Sequence, residues 1–130
     1  MTEKKVLDVG QCDYDHGNIS RLLQSHFRVA VDRAHTPGDA LARLASIRYD
    51  LVLLNRVFDH DGSAGLDLLR QLKNDDRLRH LPVMLITNYE DVQEQAVELG
   101  ALPGFGKADL HDQRTLERLR GALGAEPPSQ

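Results

Sequence analysis

Two groups of side chains in this 130-residue chain could do chemistry. Cys12, Asp13, Asp15 and His16 fall close together, and Asp59, His60 and Asp61 are consecutive. Thiolate, imidazole and carboxylate together make a Zn2+ ligand set, although no CxxC or HxxxH spacing fixes a coordination geometry. Solvated loops account for the same residues without a metal. The second group is Asn55, Thr87, Asn88 and Lys107. An ammonium and a hydroxyl among amides and carboxylates suit an anion or a metal-phosphate site. No GxGxxG fingerprint and no Walker lysine motif is present, so a nucleotide site has little support. Nothing in the sequence pairs Cys12 with a base, which argues against a nucleophilic or redox role.

These residues matter only if the elements around them bring them together. Val6-Leu-Asp-Val9, Leu51-Val-Leu-Leu54 and Val83-Met-Leu-Ile86 are short apolar runs of the kind buried in parallel sheets. Phe27–Val31 alternates and suits an edge strand, and Gly104–Gly106 stands where a fifth strand is expected. Helical faces lie between the runs: Ile19, Leu22 and Leu23; Leu41, Leu44 and Ala45; Leu66, Leu68, Leu69 and Leu72; Val92, Ala96 and Leu99; Leu116, Leu119 and Leu123. Thr36-Pro37, Ser63 and Asp112 are candidate helix starts, and Gly100 a helix stop. Five β-α units predict an α/β fold, a doubly wound five-stranded parallel sheet with helices on both faces. In such sheets the site lies at the carboxyl ends of the strands, near residues 10–16, 32–36, 55–63, 87–90 and 106–109.

Composition narrows the partners. Hydrophobic residues are 41% and charged residues 28%, the balance of a globular domain long enough to bury a core. The net charge of −4, without a basic patch, disfavours nucleic acid. A single cysteine fits a reducing compartment, no run approaches a membrane span, and the first residues do not form a signal peptide. The expectation is a cytoplasmic domain over residues 1–123 with a disordered tail over 124–130. His26, His35, His80 and His111 fall at element ends and are expected on the surface.

Three stretches resemble the receiver domain of bacterial two-component response regulators: Tyr49–Asn55 followed by Gly65–Arg70, Leu81–Thr87, and Gly100–Lys107. The resemblance spans roughly residues 4–123 and implies the flavodoxin-like strand order 2-1-3-4-5. It implies a phospho-acceptor position at Asn55, assisted by Thr87 and Lys107. It also implies an acidic, Mg2+-binding pair at Gly10 and Gln11, with the Val57 position beside it.

The sequence departs from that pattern at each functional position. Asn55 replaces the acceptor aspartate, and an amide is a poor nucleophile. It is expected to hydrogen-bond Lys107 or Thr87 instead. Gly10 and Gln11 carry no carboxylate, whereas Mg2+ favours hard charged oxygens. The segment before the first helix reads as about four residues long in excess, which brings Asp13 or Asp15 nearer the pocket. The loop after the third strand reads as longer as well. The aromatic that switches in receivers is replaced by Gly104, with Phe105 displaced to the opposite sheet face. Ala108 follows Lys107 where the family has proline, so a trans bond is expected.

The reading is a phosphorylation-independent, non-enzymatic signalling module that acts through protein partners, with no cofactor and Mg2+ binding doubtful. The resemblance implies a partner or homodimer surface on the fourth helix, fifth strand and fifth helix, here over Tyr89, Val92, Gln93, Gln95, Leu102, Phe105 and Leu116. Two alternatives stay open: a phosphorylatable receiver using another carboxylate such as Asp59, with Mg2+ on Asp13 or Asp15, and a metal-sensing domain built on the two loops. A carboxylate introduced at position 55 is expected to stabilise the fold by giving Lys107 an ionic partner.

Overall fold

The computed structural model describes residues 3–124. The expected tail therefore lies, from residue 125 on, outside the described residues. Five strands alternate with five helices: β1 (Lys4–Val9), α1 (Asp13–His26), β2 (Val29–Ala34), α2 (Pro37–Ser46), β3 (Leu51–Asn55), α3 (Gly65–Lys73), β4 (Val83–Ile86), α4 (Glu90–Glu98), β5 (Leu102–Phe105) and α5 (Gln113–Leu123). All pairings are parallel, in the order β2-β1-β3-β4-β5. The doubly wound sheet expected from the sequence is borne out.

Alternation along the strands divides the core into two layers. Leu7, Val9, Val52, Leu54, Val83 and Leu85 face α2, α3 and α4. Val6, Leu51, Leu53, Met84, Ile86 and Phe105 face α1 and α5. The three central strands are buried on both faces, which is why their sequences read as continuous apolar runs.

Local chemistry sets the helix ends. The Thr36 hydroxyl accepts the Asp39 N–H at 3.1 Å with Pro37 in the first turn, and the Asp112 carboxylate accepts the Arg114 N–H at 2.9 Å. Gly100, at φ 109°, terminates the α4 turn.

Several boundaries differ from the sequence reading. β2 runs two to three residues later than Phe27–Val31, because its ladder with β1 extends from Lys4↔Val29 to Val9↔Ala34 and takes in the polar pair Asp32-Arg33. β5 begins at Leu102 rather than Gly104. Ser63 does not cap α3. That position is Ala64, and Ser63 belongs to a turn in which its carbonyl accepts the Phe58 N–H at 2.8 Å. Ala45 is exposed, and Ala40 takes its place beneath α2. The segment between β1 and α1 is also not long. Gly10, Gln11 and Cys12 complete it, and the residues read as surplus form the first turns of the 14-residue α1.

Candidate functional site

The carboxyl ends of β1, β3, β4 and β5 meet around Gly10, Asn55, Thr87 and Lys107. Gly10 follows β1 at φ +82°, and a Cβ placed there would lie 2.2 Å from Cδ1 of Phe58. Phe58 is 1% exposed although it belongs to a loop of polar residues. That loop folds back as a short hairpin in which Val57 bridges Ala64 and the Gly62 N–H donates to the Phe58 carbonyl at 2.8 Å. The hairpin thus lays the Phe58 ring over the end of β1, and only a residue without a side chain can stand beneath it.

The Gly10 carbonyl ties the two strands and the hairpin together. It accepts from Asn55 Nδ2 at 3.0 Å and from the Asp59 N–H at 2.9 Å. Asn55 is nearly buried, and its bond to Gly10 corrects the expectation that it would engage Lys107 or Thr87. Gln11 is 1% exposed, its side chain packed away from the pocket.

Lys107, just beyond β5, pairs with Asp15 in the first turn of α1, Nζ to Oδ2 at 2.7 Å. The same carboxylate accepts the Cys12 thiol at 3.3 Å. Burial alone would raise the Asp15 pKa, but the Lys107 ammonium and the Cys12 thiol outweigh it and hold the carboxyl below its ordinary value. Asp13 is 93% exposed and pairs outward with Arg33 at 2.7 Å. Thr87 is buried, and its Oγ1 accepts the Tyr89 N–H at 3.1 Å. Asn88 Oδ1 accepts the Ala108 N–H at 3.1 Å. The peptide bonds of the described residues, that before Ala108 included, are trans.

The other candidate ligands diverge. His16 Nδ1 meets the fully buried Asp8 at 2.7 Å, beneath α1. His60 faces His35, ring centroids 6.0 Å apart, and Asp61 accepts the Ser63 N–H at 2.9 Å. Among the described residues no three His, Cys, Asp or Glu side chains converge as metal ligands. The Asp8–His16 pair joins β1 to α1, and nothing in the local sequence pattern marks the two residues as partners.

At the position read as the switch, Gly104 receives side chains from both neighbouring helices. Its N–H donates to Gln93 Oε1 at 3.0 Å, and its carbonyl accepts from Arg118. Gln93 Nε2 donates in turn to the Leu85 carbonyl at 2.8 Å. The pairing steps from Met84↔Leu102 to Ile86↔Phe105, so β5 carries one extra residue here, a bulge. A Cβ on Gly104 would lie 2.1 Å from the Leu85 oxygen. Phe105 is buried in the α1/α5 layer. Phe105 is therefore not part of an open surface, and Val92 and Leu116 are half-buried. Tyr89, Val97 and Leu102 are the exposed apolar residues of that side.

An open parallel sheet in this order, with helices on both faces, is the flavodoxin-like, receiver-type fold. The comparisons agree. No family model matches the chain. The chemotaxis protein CheY of Pseudomonas aeruginosa is 37% identical over 59 residues, and the match spans 45% of this chain and 45% of that protein, about half the length of each. The phosphorylated cyanobacterial phytochrome response regulator RcpA superposes with a TM-score of 0.74 at 22% identity, over 98% of this chain and 100% of that one. CheY4 of Vibrio cholerae gives 0.71 at 20% identity, over 91% and 99%, and the bacteriophytochrome response regulator AtBRR 0.75 at 22%, over 97% and 96%. The likeness to these structures is one of fold. No helix among the described residues is long and apolar enough to cross a membrane.

Proposed function

We propose that this chain is a phosphorylation-independent receiver-like module, a non-enzymatic signalling domain of a two-component-type pathway that acts by protein–protein contact. One observation carries the reading: Phe58 occupies the space above Gly10, where a Cβ would lie 2.2 Å from its ring. The first acidic ligand implied by the resemblance has no room at this position.

Aspartyl phosphorylation needs a carboxylate nucleophile and a cation to offset the charge of the transferred group. Asn55 supplies an amide whose nitrogen is already engaged by the Gly10 carbonyl. The donor set does not fit Mg2+ either. Gly10 has no side chain, Gln11 is neutral and turned inward, Asp13 points to solvent and Asp15 is held by Lys107. Thr87 and Lys107 keep their places as parts of the scaffold, and the bridged Gly104 stands in for a movable aromatic. The partner is a protein, met on the side of α4, β5 and α5, where Tyr89, Val97 and Leu102 are exposed.

A Mg2+ titration followed by amide NMR tests the reading. Gly10–Asp15 and Asn55–Val57 should show no saturable, site-localised shifts at millimolar metal. Saturable shifts confined to those residues would overturn it.

A further inference from the structure

We propose that the groove at the amino ends of β3 and β4 binds a small soluble carboxylate with an apolar body, a medium-chain fatty acid being the simplest case. The groove lies at the opposite end of the sheet from Asn55, Thr87 and Lys107. It holds about 710 Å3, within the range of small-molecule sites.

The last turn of α2 and the segment between α3 and β4 form its walls. Leu41, Leu44, Ile47, Leu78, Leu81 and Pro82 make the lining apolar, and Tyr49 is buried among them. These walls are held in place by the protein itself. The Tyr49 hydroxyl donates to Asp32 at 2.6 Å. Lys73 Nζ donates to the Arg79 and Leu81 carbonyls at 3.0 and 2.9 Å, and the Leu78 and Arg79 N–H groups both donate to the Asp75 carbonyl. A groove fixed in this way loses little freedom when it is filled.

Charge selects the head group. Lys4, Arg48 and Arg77 line the groove together with Asp50 and Asp75. Both carboxylates are already engaged. Asp50 accepts the Lys5 N–H at 2.8 Å, while Asp75 accepts the Arg77 N–H at 2.8 Å and lies 3.9 Å from Arg77 Nε. Lys4 and Arg48 are exposed and enter no ion pair among the described residues. Two uncompensated cations beside an apolar wall attract an anion that also has a body to bury. The guanidinium fork of Arg48 suits a carboxylate, which it can meet with two parallel N–H groups. The inference goes beyond the signalling reading and does not depend on it.

The test is an amide NMR titration of the full chain with sodium octanoate below its micellar concentration, with ionic strength held constant by chloride. Saturable shifts are expected at Leu41, Leu44, Arg48, Leu78 and Leu81, and none at Thr87 or Lys107. Arg48→Ala removes the charged contact and should weaken binding about tenfold or more. Ala45→Glu, at an exposed position of α2 that lines the groove, sets a carboxylate beside the ligand and should weaken binding at least as much. Octanol supplies the body without the charge and acetate the charge without the body, so each should bind about tenfold or more weakly than octanoate. Absence of saturable octanoate shifts, shifts centred away from the groove, affinity unchanged by either substitution, or equal affinity for octanol or acetate would overturn the proposal. Shifts at the groove that follow protein concentration alone would assign it to a second copy of this chain and overturn the proposal likewise.

Discussion

Gln93 on α4 and Gly104 on β5 are joined side chain to backbone, with the Gly104 N–H donating to Gln93 Oε1 at 3.0 Å while Gln93 Nε2 donates to the Leu85 carbonyl at 2.8 Å. The carboxamide fills the gap that the β5 bulge opens in the β4–β5 ladder. Its two ends satisfy one donor and one acceptor that the bulge would otherwise leave unpaired. Arg118 reaches the same residue from α5. Both helices of this side are therefore fastened to one glycine.

Replacing Gln93 by Leu should destabilise the domain by about 1–3 kcal/mol, since it leaves the Gly104 N–H and the Leu85 carbonyl without the amide. Urea unfolding checks the value. Hydrogen exchange should quicken at Gly104 more than at Val52, because the change opens the β4–β5 edge and not the centre of the sheet.

Gly10→Asp should cost at least about 2 kcal/mol, combining a left-handed φ with a Cβ driven into the Phe58 ring. The variant restores one acidic ligand of the receiver pattern and should still fail to bind Mg2+ at low millimolar levels. Thermal melts with and without the metal measure both effects.

Asn55→Asp should destabilise the fold. The sequence alone suggested the opposite, a carboxylate stabilised by Lys107. Lys107 already has Asp15 at 2.7 Å, and Asn55 donates to the Gly10 carbonyl at 3.0 Å. An aspartate would set an acceptor against that acceptor, at a cost of about 1–3 kcal/mol. A variant more stable than the wild type in urea would show that the Asn55–Gly10 bond has been overvalued.

Two carboxylates should give the stability opposite dependences on pH. Asp15 titrates below its ordinary value, so its contribution is present above the unfolded value near about 3.9 and is lost as the pH falls through the folded value. Asp8 is raised by burial, against the pull of His16, Gln11 and Arg33. The stability linked to its protonated form is full below about 3.9 and lost as the pH rises through the folded value. Compared with the wild type, Asp8→Asn should gain stability towards neutral pH and Asp15→Asn should lose it. Urea midpoints across the acid range decide this, and parallel curves for the two variants would contradict it.

The parts legible in the sequence were those fixed by local pattern. Leu51–Leu54 and Val83–Ile86 could only be central strands, and Thr36, Asp112 and Gly100 act within a turn of where they stand. Lys107 and Thr87 followed from placing strand ends. Contacts between distant segments stayed hidden. Phe58 sits among Asp59, His60 and Asp61, and nothing in that string says its ring folds over Gly10. Gln93 reads as the solvent side of an amphipathic helix, yet its amide enters the sheet. The Asp15–Lys107 pair depended on α1 beginning at Asp13, a helix start that Cys12 marks without a side-chain cap. The frame of β2 was misread because Asp32 and Arg33 are poor strand formers, carried into the strand by the β1 ladder.

Whether this chain takes up a phosphoryl group is decided by intact-mass spectrometry after incubation with acetyl phosphate and Mg2+. The phosphorylation-independent reading requires an unchanged mass for the wild type. A gain of about 80 Da, the mass of one phosphoryl group, that is removed by hydroxylamine would place an acyl phosphate on this chain and contradict it.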